Sequence, residues 1–119
     1  MTENDLKGRT KQFALRIIRM YGDLPGSDAA RVLGKQVLRS GTSVGANYRE
    51  GCRARSDAEF ISKLETSLQE LEETCYWLEL LSESGAFAPQ RLNPLLDEAN
   101  ELIAILTASV NTVKRRLRS

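Results

Sequence analysis

The 119-residue chain contains no histidine, only two cysteines and a single tryptophan. Without histidine, the commonest acid–base group and the commonest metal ligand in proteins are both missing. A serine or threonine nucleophile has no imidazole to activate it, and the Glu-x-x-His pattern of di-metal bundles is impossible. The sequence therefore predicts no enzymatic activity, no cofactor and no metal site. A magnesium site built from carboxylates such as Glu70 and Glu73 remains the open alternative.

The sequence also lacks a signal-peptide pattern at its start and any apolar run long enough to cross a bilayer. If the second and third helices form a hairpin that turns near Ser56, Cys52 and Cys75 lie about 28 Å apart, too far to pair. Free thiols are typical of a reducing compartment. We therefore expect a cytoplasmic protein with no membrane partner.

The pattern of the chain predicts four helices and no strand in a single domain spanning residues 1–119. The first runs from about Asp5 to Tyr21 and the second from about Asp28 to Arg53, with Ser27 as its N-cap. The third begins with the capping box Ser56-Asp-Ala-Glu59 and ends at Gly85. The fourth begins at Asn93-Pro94. Short connections predict an all-α, antiparallel up-down-up-down four-helix bundle.

Each predicted helix has a face that is apolar or small. In the first helix this face comprises Phe13, Ile17, Met20 and Leu24. In the second it comprises Ala30, Leu33, Gly34, Val37, Ser40, Gly41, Val44, Tyr48, Gly51 and Cys52. The third and fourth helices alternate spacings of three and four, which is typical of heptad seams. These seams are Ile61, Leu64, Leu68, Leu71, Cys75 and Leu78, and then Leu96, Ala99, Ile103, Leu106, Val110, Val113 and Leu117.

The segment from Arg39 to Gly51 puts Gly41 and Gly45 in the middle of the second helix. Each glycine costs roughly 0.5–1 kcal/mol relative to alanine there. Close approach of a neighbouring helix is the usual compensation, so we expect tight packing on this face. In the alternative interpretation, Gly41 breaks the helix into two.

Charge is unevenly distributed, although the net charge is only +1. Residues 7–55 contain eleven Lys and Arg against three acids, whereas residues 57–101 contain eleven acids against two bases. One strip of the second helix, continued past the helix end by Arg55, is basic: it carries Arg31, Lys35, Arg39, Arg49, Arg53 and Arg55. Such a strip resembles a surface that binds along a phosphate backbone. A second basic cluster at the C-terminus contains Lys114, Arg115 and Arg116.

Both basic groups have structural alternatives. The strip could be a solvated face, or could pair with acids of the third helix such as Glu65, Glu72 and Glu79. Cations also favour a helix C-terminus, which would explain the second cluster.

Large apolar side chains fall outside the predicted seams. Tyr76, Trp77 and Leu80 face away from the third-helix seam, and Leu15 and Ile18 lie off the first-helix stripe. A cluster of this size predicts an oligomer interface, with the aromatic residues dominating its energetics. The alternative is an irregular bundle that covers these residues itself.

The stretch Arg39-Ser-Gly-Thr-Ser-Val-Gly-Ala-Asn-Tyr-Arg-Glu-Gly51, followed by Ser56–Phe60 and Ser67-Leu-Gln-Glu-Leu71, resembles the four-helix-bundle proteins encoded in intervening sequences of bacterial 23S rRNA genes. Accessory proteins of diversity-generating retroelements are relatives with a similar pattern. The resemblance implies a homopentamer and no enzymatic activity; for the retroelement branch it also implies a nucleic-acid-binding surface and a reverse transcriptase partner. It assigns packing roles to Ser43, Val44, Gly45, Asn47, Glu50 and Gly51.

Together these features predict a non-enzymatic, oligomeric protein that associates with RNA or DNA through the basic strip. The alternative is a protein–protein scaffold or accessory subunit, for example of a reverse transcriptase, without nucleic-acid affinity of its own.

Overall fold

Four helices in antiparallel succession make up the fold, and there is no strand. A computed structural model describes residues 1–119, with α1 at Glu3–Gly22, α2 at Asp28–Cys52, α3 at Asp57–Glu83 and α4 at Pro89–Arg118. The bundle measures 52 × 21 × 20 Å. The predicted all-α four-helix bundle is therefore confirmed. None of the helices combines the length and the apolar character needed to cross a membrane.

The helices occupy the corners of a square in chain order. Contacts join α1 to α2, α2 to α3 and α3 to α4, with α2–α3 the most extensive; α4 closes the square against α1 through the smallest contact. No Cα atom of α1 lies within 8 Å of one in α3, and the same holds for α2 and α4. These two pairs are therefore diagonal, and the outward faces of α1 and α3 lie on different sides of the bundle.

Ser27 and Ser56 cap α2 and α3 as predicted, but the capping box expected at α3 is only half formed, because the Glu59 carboxylate accepts from the Arg55 N–H rather than from that of Ser56. The Ser27 and Ser56 side chains accept hydrogen bonds from the backbone N–H groups of Ala30 and Glu59, respectively. At the end of α3, Gly85 has a φ of 77°, a left-handed conformation that glycine adopts without steric cost.

The predicted start of α4 is wrong. The helix begins at Pro89, with Ala88 as an N-cap that makes no side-chain capping bond, and Pro94 lies inside it. A proline at the first helical position costs nothing because its missing N–H has no partner there. The added turn also places Leu92 in the core, where it is fully buried.

The seam of α3 is partly polar, which corrects two predicted positions. Leu68 and Cys75 are only half-buried, whereas Ser67 and Thr74 are fully buried. Ser67 Oγ donates to the Val44 carbonyl at 2.8 Å, and the hydroxyls of Thr74 and Ser40 are 2.8 Å apart. Small hydroxyl residues let α3 approach α2 closely and satisfy their own hydrogen-bonding groups.

The seam of α4 is rotated by one residue over its first half. Leu95 and Leu102 are buried in place of the predicted Leu96 and Ile103, which are half-buried. Leu117 is exposed rather than part of the seam. Leu24, predicted on the first-helix stripe, lies in the loop after α1 and is half-buried, as are Leu33 and Cys52 of α2; the remaining predicted core positions of α1 and α2 are buried. Cys52 and Cys75 are both free thiols, as expected.

The small-residue face of α2 is where α1 and α3 approach most closely. A Cβ atom added at Gly41 would lie 2.9 Å from Ile17 Cγ1, and one added at Gly51 would lie 2.8 Å from Leu64 Cδ1. One added at Gly45 would lie 3.1 Å from Thr10 Oγ1. Because α2 is continuous from Asp28 to Cys52, the alternative of a break at Gly41 is wrong.

Candidate interaction surfaces

The basic strip of α2 is exposed along its whole length. Arg31, Lys35, Arg39, Arg49 and Arg53 all have exposed side chains. Arg31 pairs with Asp28 one turn earlier in the same helix. Arg39 lies 3.5 Å from both Glu70 and Glu73 of α3. Of the strip residues, only Arg39 pairs with acids of α3, and its partners are Glu70 and Glu73 rather than the expected Glu65, Glu72 or Glu79.

The rest of the strip has no neutralising partner within the chain. No carboxylate lies within 4.0 Å of the side-chain nitrogens of Lys35, Arg49, Arg53 or Arg55. The backbone N–H of Arg55 donates to the Glu59 carboxylate at 3.3 Å, which leaves its guanidinium free. These four cations are the part of the strip available to an anionic ligand.

The C-terminal cluster lies at the same end of the bundle as the end of the strip. Lys114 is 3.8 Å from Glu65 and Arg116 is 3.9 Å from Asp57, both weak, exposed contacts with α3. Arg115 donates to the Thr112 hydroxyl and has no carboxylate partner. Arg55 and Arg116 line one hollow, so the two basic groups meet there. Sequence reasoning treated them separately, although antiparallel topology already places the ends of α2 and α4 together.

The apolar residues predicted to face outward divide into two groups. Tyr76 and Ile18 are exposed, at 54% and 47%, as predicted. Trp77, Leu80 and Leu15 are half-buried, and Trp77 packs against the edge of the core. The expectation of fully outward side chains is therefore wrong for Trp77, Leu80 and Leu15. Trp77 lies one heptad after Glu70, on the side of α3 that borders Arg39 of α2. The Tyr76 and Trp77 rings remain in contact, with centroids 5.1 Å apart.

Two buried polar atoms at this aromatic pair make no hydrogen bond: Trp77 Nε1 has no partner at all, and Glu70 Oε2 has only the 3.5 Å ion-pair contact with Arg39. Both residues line a surface groove of α3 together with Gln69, Glu72, Glu73 and Tyr76. Burial raises the pKa of Glu70, and the Arg39 guanidinium opposes that shift. Sequence reasoning missed this groove, although Glu70 lies seven residues before Trp77 and so shares its helical face.

We expect Glu70→Gln to raise the free energy of unfolding by about 0.5 kcal/mol at pH 7. At that pH the Glu70 carboxyl is ionised, and its burial makes the ionised form unfavourable in the folded protein. A carboxyl whose pKa is raised by folding destabilises the fold above that pKa. Wild-type stability therefore increases as the pH falls through it, and the variant lacks this dependence. Urea denaturation of both proteins between neutral and acidic pH measures the effect. A variant less stable than wild type at pH 7 would contradict it, and Glu73→Gln, at an exposed carboxylate, is the control.

The residues matching the family signature act mainly within α2. Val44, Gly45 and Gly51 are buried against the neighbouring helices. The Asn47 amide donates to the Ser43 carbonyl at 3.0 Å within α2 and makes no hydrogen bond to another helix of the chain. Glu50 does connect two helices, through Lys63 of α3 at 2.8 Å.

The acids of α3 are not arranged as a metal site. No group of three Cys, Asp or Glu side chains is positioned to hold a metal ion, and this includes the carboxylates around Glu70 and Glu73. The surfaces that the fold presents are thus a basic one along α2 and an acidic, aromatic one on α3.

The fold and its surfaces define the class of protein: a four-helix bundle in which one helix packs tightly through small residues and the surface charges are segregated. The chain belongs to the 23S rRNA-intervening sequence protein family, whose model matches residues 2–108. A similar solved structure is a Bacteroides thetaiotaomicron protein of unknown function from the S23 ribosomal protein family. It is 38% identical over 93% of this chain and 99% of its own, with a TM-score of 0.87. No curated protein matches.

Proposed function

We propose that this protein is a non-enzymatic, oligomeric, cytoplasmic protein that associates with RNA or DNA through the α2 strip and the C-terminal cluster. The observation that carries the proposal is a set of four cations without ion-pair partners: Lys35, Arg49, Arg53 and Arg55. Arg55, at the end of the strip, lines one hollow together with Arg116. Cations without intramolecular partners can bind phosphate without first breaking an ion pair, so binding loses no existing interaction.

The near-neutral net charge does not weaken this argument. Long-range attraction depends on how charge is distributed, and the acids lie mainly on α3 and early α4. With a Debye length of about 8 Å at physiological ionic strength, acids on another face of the bundle are largely screened from a ligand on α2. The strip therefore acts as a local positive surface.

Binding should weaken steeply with salt. Each phosphate neutralised contributes about 0.7–0.9 to the slope of log affinity against log salt. We expect Arg49→Gln with Arg53→Gln to reduce that slope by roughly 1.5 and the affinity by about tenfold at low salt. Fluorescence anisotropy with a labelled RNA hairpin and a DNA duplex of the same sequence, between about 50 and 200 mM salt, measures both quantities.

The matched control is Arg16→Gln with Arg91→Gln, which removes the same charge from the hollow between α1 and α4. It should leave the slope unchanged. Equal losses in both double variants would indicate a general charge effect and reject the strip as the site. Absence of binding by the wild-type protein at about 50 mM salt would reject nucleic-acid association altogether.

A protein scaffold without nucleic-acid affinity is the second candidate function. The buried Trp77 Nε1 group, which has no hydrogen-bond acceptor within the chain, favours it, because a partner could supply that acceptor. A reverse transcriptase is one such partner among those that the family resemblance implies. Loss of a protein partner on Tyr76→Ala, with RNA binding absent, would support this second function.

Self-association is part of the proposal, and five copies is the number that the family resemblance implies. The exposed Tyr76 and Ile18 support it as interface residues. In an oligomer the basic strip would repeat in each copy, and modest individual contacts would act together. Native mass spectrometry should find a mass five times that of the 13.3 kDa chain. A monomer at micromolar concentration would reject this part.

A further inference from the structure

Three arginine side chains line one hollow at the end of the bundle where α1 ends and α4 begins. This arginine hollow has a volume of about 390 Å³, which lies within the range of small-molecule sites. Its lining residues are Arg16, Arg19, Met20, Asp23, Arg91 and Leu95. Three cations against one carboxylate leave an excess of two positive charges in the hollow.

Most of this charge is not neutralised within the chain. No carboxylate lies within 4.0 Å of the side-chain nitrogens of Arg16 or Arg19. The Glu98 carboxylate of α4 is engaged by Arg9 through two hydrogen bonds of 2.8 Å and is not available to Arg16. Two of the three guanidinium groups are therefore without an ion-pair partner.

The third guanidinium, that of Arg91, is positioned by an aromatic ring. It lies over Phe87, 5.1 Å from the ring centroid, and this stacking restricts a long side chain. Asp23 Oδ2 accepts from Arg91 Nη2 at 2.6 Å, in an ion pair whose two side chains are more than half exposed. An exposed ion pair of this kind is weak, so an anion of higher charge can replace Asp23 at Arg91.

Helix electrostatics explain only part of the cluster. A cation stabilises the C-terminal end of a helix, and Arg19 lies in the last turn of α1. Arg91, however, lies in the first turn of α4, where the helix dipole disfavours a cation and no acid of the same turn offsets it. Placing a cation against a local rule without a structural benefit is typical of a functional site.

The chemistry of the hollow fits an anion that carries several charges close together. Guanidinium groups bind phosphate oxygens through paired N–H donors, and three of them around one hollow match a chain of linked phosphates better than a single phosphate. The hollow lies between α1 and α4, and α4 is diagonal to α2, so it is separate from the basic strip.

We propose that the arginine hollow binds a compact oligophosphate, whether a free phosphate chain or the triphosphate group of a nucleotide. Arg16, Arg19 and Arg91 donate to the phosphate oxygens, and Asp23 competes with them for Arg91. The inference depends neither on nucleic-acid binding by the strip nor on self-association, since it uses none of the residues assigned to either.

The first test compares ligands. Isothermal titration calorimetry at low salt and without magnesium should show binding of inorganic tripolyphosphate and of ATP, with AMP at least about tenfold weaker because it carries one phosphate. A higher affinity for ATP would identify a nucleotide as the source of the phosphate chain, and an equal or higher affinity for tripolyphosphate would identify a free chain. If AMP bound as tightly as ATP, or if neither phosphate chain bound, the inference would be overturned.

The second test changes the hollow in opposite directions. Arg16→Gln and Arg91→Gln should each weaken binding of the tighter phosphate chain by about tenfold, as for loss of one charge-assisted contact. Asp23→Asn should instead strengthen it by roughly threefold, because it removes a competitor for Arg91 and a repelling charge. A gain in affinity cannot result from partial unfolding, and circular dichroism checks the folding of the two arginine variants.

Two controls separate the hollow from positive charge in general. Lys11→Gln removes an exposed cation from α1 outside the hollow and should change the affinity by less than about twofold. The strip variant Arg49→Gln with Arg53→Gln should do the same. An equal loss with Lys11→Gln, or a greater loss with the strip variant, would place the phosphate chain elsewhere and overturn the inference. An unchanged or weaker affinity of Asp23→Asn would also overturn it, since no anion would then lie beside Asp23.

Discussion

Replacing Gly41 by valine is expected to lower the free energy of unfolding by about 3 kcal/mol, the upper part of the range for overpacking a well-packed core. Even a Cβ atom at this position would lie 2.9 Å from Ile17 Cγ1, which is closer than real Cβ contacts allow. Ile17 is itself fully buried and cannot move into free space. The two added methyl groups of valine must therefore push α1 away from α2.

Urea denaturation followed by circular dichroism measures this loss, and Gly8→Ala provides the matched control. Gly8 is also inside a helix, but a Cβ atom there would meet nothing within 4 Å. Alanine should therefore raise the free energy of unfolding by about 0.5–1 kcal/mol through helix propensity alone. If both substitutions stabilised the protein, close helix approach would not be the reason for glycine at Gly41.

The helices and their order could be predicted from the sequence because the local signals agree. Ser27 and Ser56 mark helix starts, Gly85 marks an end, and apolar periodicity identifies a buried face in each segment. The role of Gly41 was also predictable, since a costly residue in a helix interior calls for a compensating contact.

The polar part of the core could not be predicted in the same way. A seam read from hydrophobic residues selects Leu68 and Cys75, whereas the structure buries Ser67 and Thr74. Those two positions are decided by a tertiary effect: the small α2 face brings the backbones so close that only small side chains fit, and hydroxyls find acceptors there. Nothing local in the sequence of α3 reports this approach.

The surfaces were predictable in composition but not in pairing. The strip residues are exposed as the helical wheel indicates, yet which of them is neutralised depends on the register between helices. That register places Arg39 beside Glu70 and leaves Arg49 and Arg53 free.

Replacing Arg9 by methionine is expected to lower the free energy of unfolding by about 2 kcal/mol at pH 7, as for loss of a partly buried charged hydrogen-bond pair. Arg9 Nε and Nη2 donate to the two Glu98 oxygens at 2.8 Å each, and Nη2 also donates to Glu101. This is the bidentate arrangement that gives the strongest ion pairs. It joins α1 to α4, where the packing contact is smallest, and the substitution leaves Glu98 largely buried without its partner.

The effect should depend on pH in a defined direction. The hydrogen bonds from Arg9 lower the pKa of Glu98 in the folded protein. The pair therefore stabilises the fold above the unfolded pKa of about 4.3, and its contribution is lost as the pH falls through the lowered folded value. The difference in stability between wild type and Arg9→Met should be largest near neutrality and small in strong acid.

Urea denaturation at several pH values tests this dependence, with Arg31→Met as the control. Arg31 also pairs with a carboxylate, but Asp28 is almost fully exposed at 96%, so its loss should change stability by less than about 0.5 kcal/mol at any pH. Equal effects of the two substitutions would mean that the Arg9–Glu98 pair adds no more than a solvent-exposed contact. The closure of the bundle between α1 and α4 would then depend on apolar packing alone.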